Sequence, residues 1–458
     1  RRGSYSRPQS VGSGSDDDNI PHANVTIDHL LPAQYLKEDV LMLIYRLGLS
    51  KWRRYNIDPA DLTIRRISGA LTNAVYEVKP PLIEGKKMLK SVLLRIYGPN
   101  VEHLIDREAE LQTLARLAKR KIGPRLLGTF LNGRIEEFLM AEPLTKEDLR
   151  VPRTYVQIAR RMRELHDGVD LTEEERSKGP SAFENIKNWK DRAKKALEAA
   201  DMRDGKPLGT TAKEVLGTDF EKFMEAIEAC MESVIAYYKG IERIKEKMVF
   251  AHNDAQYGNL LRVIPPEGSP LLVPENEHRQ LVVIDFEYAG PNMRAFDIAN
   301  HFCEWMSDFH DSERPEMAHA DKYPPTNDQI NWITAYVERG LDTESEDFHI
   351  DAMTEEIKSL VHEVNVWRPL VNAIWTIWGL VQAPIDEEQE EIKLLERSLS
   401  KYSIVTSTSS SAAATPHAEE AALIEPETED LETEDLESQF DYLYYASQKA
   451  KIFWGDIV

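Results

Sequence analysis

Two short acidic elements constrain this chain more than anything else in it. The first is His252-Asn-Asp254-Ala-Gln-Tyr-Gly-Asn259, and the second is Val283-Ile-Asp285-Phe286-Glu287. Apolar runs with the length and composition of buried strands adjoin them, at 248–251, 260–263 and 281–286. Either element alone would be an ordinary acidic turn or strand end. In this order and so placed, they supply the parts of a phosphoryl-transfer site. Magnesium is a hard cation that takes oxygen ligands, one or two carboxylates plus phosphate oxygens. Asn259, Asp285 and the phosphates of ATP meet that need. A hydroxyl that attacks a γ-phosphate must lose its proton, and Asp254 is the acceptor. ATP and Mg are therefore the expected cofactors.

A chain of 458 residues can bury a large core. Its formal net charge is −23, and more than half of the excess sits in 386–437. The remainder is mildly acidic, which argues against a nucleic-acid partner. With only Cys230 and Cys303, far apart in sequence, neither a disulfide framework nor a cysteine zinc site can form. No leader pattern is read at the start, and a reducing, cytoplasmic setting is expected. No stable membrane insertion is expected either. The longest apolar stretch, from Leu370 to Ile385, is interrupted by Asn372 and Gln382 and reads as a buried helix.

Residues 1–24 are rich in Ser, Gly, Arg and Asp and read as a disordered tail. Within them Arg1-Arg2-Gly3-Ser4 has the form of a basic-directed phosphorylation site, a pattern that chance also supplies. Residues 36–54 have helical apolar spacing. Between 62 and 140 the pattern is strands around one helix: 62–67, 74–78 and 91–97, a helix over 108–121 ended by Gly123-Pro124, and a hairpin across Asn132-Gly133. From Arg153 onward the spacing is mostly helical, with helices expected over 154–167, 184–201, 213–247, 294–310, 326–340 and 354–383. Residues 386–437 are an acidic, low-complexity insertion. Aromatic density returns from Phe440 to Trp454, so 438–458 should fold back on the body. The fold class is α+β, a two-lobed protein-kinase-like architecture. An N-terminal helical extension and a small strand-rich, ATP-binding lobe occupy 25–140. A larger, mainly helical lobe with the catalytic and acceptor-binding parts occupies 141–385.

That frame assigns further positions. The turn 68–73 is placed to lie over the phosphates, with Ser68, Gly69, Leu71, Thr72 and Asn73 as candidates, although it has one glycine and an ordinary hairpin fits the pattern too. Arg95 stands where a phosphate-binding cation belongs and can pair with a carboxylate on the following helix, Glu108 first and Glu110 second. Glu136, Glu137 and Leu139 occupy the stretch whose backbone would meet adenine. Between Asp285 and Asp297 there is no Ser or Thr, so no long activation segment docks a protein substrate, and a small-molecule acceptor is favoured. Trp375 and Trp378 share one helix face. Such a pair suits a buried core as well as an aromatic cage for a quaternary ammonium, for which Glu304, Tyr288 and Phe309 offer further groups.

Taken together the chain resembles the choline/ethanolamine kinases, the fungal type above all. The stretches that carry the resemblance are Ile67–Asn73, Leu93–Gly98, Ile122–Gly128, His252–Asn259, Ile284–Tyr288, Phe296–Trp305 and Trp375–Ala383. It covers about 30–385 and resumes near 440. The resemblance implies transfer of the ATP γ-phosphate to the hydroxyl of choline, the first step of phosphatidylcholine synthesis, or to ethanolamine. It implies Asp254 as base, Asn259 and Asp285 as magnesium ligands, and Glu287 as a further metal neighbour. Gln256, Tyr288, Glu304, Trp375, Trp378 and Tyr445 would bind the acceptor. The family often has Tyr where Phe309 stands, and the insertion leaves open which of Tyr442, Tyr444 and Tyr445 lines the pocket. The oligomeric state is open, a homodimer among the options. An aminoglycoside-type phosphotransferase and a non-catalytic kinase-like scaffold are the alternatives from other classes. A scaffold would be expected to lack Asp254 or Asp285, and both are present.

Overall fold

The computed structural model describes residues 20–49, 51–67, 73–83, 85, 88–97, 113–114, 116–117, 122–265, 267–341, 349–385 and 440–457. The tail before residue 20, with its Arg-Arg-Gly-Ser motif, and the insertion 386–437 lie outside them, as does most of the helix expected over 108–121. The described residues belong to two compact units. One comprises Arg1–Ser181, Ile235–Met306 and Asp321–Arg368; the other comprises Ala182–Val234, Ser307–Ala320 and Pro369–Val458.

In the first unit, alternation of apolar residues builds a six-stranded sheet in the order β1-β5-β6-β4-β3-β2. Its strands are β1 (His22–Ala23), β2 (Thr63–Arg66), β3 (Asn73–Lys79), β4 (Val92–Tyr97), β5 (Leu126–Phe130) and β6 (Gly133–Glu137). β1 runs parallel to β5 and the other pairings are antiparallel. The stretch 20–24, expected to be part of the tail, thus contributes a strand, His22 opposite Thr129. Asn132 fastens the chain just after β1: its side-chain amide accepts from Ile27 N (3.0 Å) and donates to Ile27 O (2.8 Å). The helix Ala33–Arg46 buries Leu36, Val40, Leu43 and Ile44, one face at spacings of three and four, in the same core as Val78, Leu94 and Ile135. Each such fully buried side chain contributes about 1.5–3 kcal/mol. At Gly133 the strands approach so closely that a Cβ would collide with the carbonyl oxygen of Arg95.

The rest of this unit carries the two acidic elements. β7 (Ala141–Pro143), β9 (Leu260–Val263) and β10 (Leu281–Val283) form one small sheet, and β8 (Val249–Ala251) pairs with β11 (Gly290–Asn292). The helix Pro152–Gly168 packs along Thr326–Arg339. A helix at Glu173–Lys178, which apolar spacing does not predict, begins with a reciprocal cap: Glu175 N donates to Thr172 Oγ1 (3.1 Å) and Thr172 N to Glu175 Oε2 (2.7 Å).

The single helix expected over 213–247 is three: Thr210–Leu216, Phe220–Tyr237 and Ile241–Lys247. Gly217 (φ 73°) ends the first, and Lys239 (φ 63°) with Gly240 (φ 125°) separates the last two. The helix Ile350–Gln382 accommodates Pro369 in its interior and, in the second unit, meets Tyr442–Ile457 around Gly379. Among the described residues no helix is long and apolar enough to cross a membrane.

Candidate active site

The first acidic element forms the loop between β8 and β9. Asn253 takes a left-handed φ of 63°, which an Asn tolerates better than most residues. Asn259 closes the loop: its Nδ2 donates to Asp254 Oδ2 (2.8 Å) and to the Asp254 carbonyl (3.0 Å). Strand pairing places the second element. β10 runs antiparallel to β9 with Val283 opposite Leu260, and Ile284 N donates to Asn259 O (3.0 Å). That register brings Asp285 beside Asn259. Asp285 has a φ of 62°, unusual for a side chain other than Gly or Asn and a form of strain concentrated at functional sites.

His252 is buried and neutral, its proton affinity lowered first by burial. Its Nδ1 accepts from Asp254 N (3.2 Å), so Nε2 carries the hydrogen and donates to Ile284 O (2.9 Å). One imidazole therefore ties the two elements together.

The helix Arg294–Glu304 holds this assembly through a buried polar stripe: Asp297, Asn300, His301 and Glu304, at spacings of three and four. Asp297 accepts from His252 N (2.9 Å) and Asn253 N (2.8 Å), and also from His166 Nε2 (2.9 Å). Burial would raise the proton affinity of Asp297, but His166 and His252 hold it below the ordinary range, so it stays a carboxylate. Asn300 Nδ2 donates to Asn253 O (3.0 Å). His301, lowered to about 4 by burial, donates from Nδ1 to Ala255 O (2.8 Å). In the sequence Asp297 is only a landmark, and Asn300 and His301 have no role assigned to them. Four polar residues on one face of an otherwise apolar helix are the signal that would find them.

The electrostatics separate the carboxyl groups of Asp254 and Asp285. Burial raises the proton affinity of Asp254, and the negative charges of Glu304, Asp285 and Glu287 raise it further; the Asn259 hydrogen bond works in the other direction. Asp254 is held well above the ordinary carboxylate range. Burial alone would raise Asp285 too, but Arg95 and Arg134 bring it below the ordinary range. Arg95 Nη1 lies 3.4 Å from Asp285 Oδ2.

This donor set fits magnesium. Asp285 Oδ1 is buried with no hydrogen-bond partner among the described residues, and it is an ionised oxygen. Asn259, whose nitrogen is committed to Asp254, leaves its amide oxygen for a cation. Among the described residues no three His, Cys, Asp or Glu side chains form a metal cluster. A hard cation here would lean on one or two carboxylates, an amide and nucleotide phosphates.

Of the other sequence candidates, Ser68, Gly69, Leu71, Thr72, Glu108 and Glu110 lie outside the described residues. Asn73 opens β3 opposite Tyr97. Glu137 ends β6 with its carboxylate held by Arg125 (3.0 Å) and Lys90 (3.3 Å), and its N–H donates to Arg125 O (2.8 Å). Leu139 is half-buried in the connection to β7. Gln256 accepts from Gly258 N (3.2 Å), and the Tyr288 carbonyl accepts from Asn253 Nδ2 (3.0 Å). Glu304 is 2% exposed.

In the second unit Trp378 is the hub of an aromatic group. Its ring lies 5.4 Å from Trp375, 5.9 Å from Tyr442 and 5.7 Å from Tyr445, all edge to face. Phe440, which has no assigned place in the expected pocket, joins Tyr442 (4.9 Å) and Tyr445 (5.7 Å). Gly379 permits this: a Cβ there would fall 3.0 Å from Tyr445 Cδ1 and 3.1 Å from Tyr442 O. Phe309 is half-buried in the same unit.

Comparison with known proteins identifies the family. A family model described as choline/ethanolamine kinase matches residues 64–454, and one described as choline kinase N terminus matches 13–58. The chain is 37% identical to the choline kinase of Saccharomyces cerevisiae, across 98% of this chain and 80% of that protein. It is 36% identical to the choline kinase of Schizosaccharomyces pombe, across 92% and 89%. A crystal structure of choline kinase from Cryptosporidium parvum shares the fold, with a TM-score of 0.61 at 21% identity, covering 92% of this chain and 95% of that one. With two family models spanning nearly all of its length, and with the paired acidic elements brought together by β9 and β10, the chain belongs to the choline/ethanolamine kinase family.

Proposed function

We propose that the chain transfers the γ-phosphoryl group of ATP to the hydroxyl of choline. The observation that carries this reading is the Asp254–Asn259–Asp285 constellation, in which one carboxyl of high proton affinity adjoins an ionised one that is paired with Arg95. The two fungal relatives named choline kinase support the choice of acceptor. In the reaction the choline oxygen attacks the γ-phosphorus, the bond to the β-phosphate oxygen breaks, and ADP leaves. The hydroxyl proton passes to Asp254 Oδ, and Asn259 Nδ2 orients that carboxyl. Arg95 holds the nucleotide phosphates. Asn259 and Asp285, with Glu287 near them, would hold magnesium, which when bound neutralises charge on the phosphates.

Trp375, Trp378 and Tyr445 are proposed to bind the trimethylammonium group. A quaternary ammonium donates no hydrogen bonds and is recognised by aromatic faces and by negative charge. Ethanolamine is the second reading, since the family model names both acceptors. Its primary ammonium can hydrogen-bond to Glu304 or Gln256. Trp375→Leu and Trp378→Leu should therefore weaken choline more than ethanolamine, by about 1–2 kcal/mol per ring. The check is KM for each acceptor beside the melting temperature. Equal losses for both acceptors that track a lower melting temperature would mark the pair as core.

A further inference from the structure

Strand pairing in the first unit sets Arg95 of β4 directly opposite Arg134 of β6, so the two side chains share one face of the sheet. Both are buried, Arg95 to 6% and Arg134 to 1% exposure. Like charges directly opposite on neighbouring strands are destabilising, and a buried guanidinium without a counter-charge is strongly so. An apolar residue at 134 would have served the sheet better, as Ile135 does on its other face, fully buried in the hydrophobic core. Contacts with Glu136 and Tyr97 offset the cost. Glu136, two residues along the same face and 5% exposed, accepts from Arg134 Nε. Arg134 Nη1 also donates to Tyr97 Oη (3.4 Å), and its guanidinium lies 5.7 Å from that ring's centroid. Arg95 takes its own counter-charge from Asp285.

The arrangement is a row of buried charge running Glu136, Arg134, Arg95, Asp285. Arg134 repels Arg95, and Asp285 attracts it. Arg95 is the guanidinium that touches Asp285, so Arg134 and Glu136 act on the phosphate-binding end through the place they leave for Arg95.

We propose that Arg134 and Glu136 are a positioning pair that fixes the Arg95 guanidinium against Asp285 and so sets the affinity for magnesium–ATP. The inference rests on the reading that Arg95 and Asp285 face the nucleotide. It makes Arg134 and Glu136 determinants of the nucleotide half of the reaction alone.

The test compares Arg134→Met, Glu136→Gln, the double variant and Arg95→Met in steady-state assays with ATP, magnesium and choline. Arg134→Met and Glu136→Gln should each raise KM for ATP about tenfold, the scale of a small misplacement of a binding group. KM for choline should stay within about twofold, since a nucleotide-side shift leaves acceptor binding alone. The double variant should be milder than Glu136→Gln alone, because removing both charges leaves no buried guanidinium without its carboxylate. It is also the variant to use if Glu136→Gln fails to fold. If Arg95→Met leaves KM for ATP unchanged, the nucleotide reading fails and this inference with it. If Arg95→Met raises that KM while the other variants lose melting temperature only, the pair is structural and the inference alone is overturned. Additive effects in the double variant would equally contradict it.

Discussion

Asp254→Asn should lower kcat by about two to four orders of magnitude, the usual worth of a positioned general base. ATP should still bind, because Arg95, Asn259 and Asp285 are untouched. The geometry makes the substitution a clean one. Asn has the same shape, and its Oδ1 can still accept from Asn259 Nδ2, which now lies 2.8 Å from Asp254 Oδ2. What disappears is the proton acceptor and one negative charge among Glu304, Asp285 and Glu287. The measurement is kcat with saturating ATP and choline, beside the affinity for ADP. Turnover near that of the parent would remove Asp254 from the mechanism and leave the hydroxyl proton without an assigned destination.

Asp297→Ala should be the most damaging substitution outside the reacting groups. Asp297 is fully buried and accepts three hydrogen bonds, two of them from the backbone of the residues just before Asp254. Hydrogen bonds to a charged acceptor contribute about 1.5–3 kcal/mol each, and the donors left behind would be buried and unsatisfied. A loss on the order of 5 kcal/mol is expected, a large part of the stability of an ordinary domain. Asp297→Asn keeps the volume and one acceptor, so it should fold. Its kcat should fall while KM for ATP and for choline hardly moves, because the loop is loosened without loss of a binding group. Thermal unfolding gives the first quantity and steady-state kinetics the second. A well-folded Asp297→Asn enzyme with unchanged kcat would show that the loop is held by Asn300 and His301 without it.

The proposed reacting groups are legible in the sequence because their chemistry restricts residue type: a proton acceptor and hard oxygen ligands leave few choices beyond Asp and Asn. The sheet is legible through alternation, and the hairpin through Asn132-Gly133. Asp297, Asn300 and His301 are hidden for a physical reason. Apart from the His166 ring on Asp297, the partners named for them are backbone groups of His252, Asn253 and Ala255, and a backbone amide carries no residue identity to match against. Arg95 is expected to look to the helix after it. The bond to Asp285 depends on how β4 sits over the end of β10, which local pattern does not encode. The Arg134–Glu136 pair escapes notice because charged residues on a strand normally mark a solvated face. Only the burial of both faces of β6 reverses that reading. The strand at His22–Ala23 is two residues long, below the reach of any periodicity. The helix Glu173–Lys178 is different in kind: Thr172 and Glu175 stand in plain view as a capping pair.

The central claim concerns which hydroxyl receives the phosphoryl group. The most direct measurement is phosphorus NMR of the products formed from ATP and magnesium with equimolar choline and ethanolamine. Phosphocholine should accumulate first and dominate, and Trp378→Leu should shift the product ratio toward phosphoethanolamine. Phosphoethanolamine as the sole product, or hydrolysis of ATP with neither product, would contradict the account.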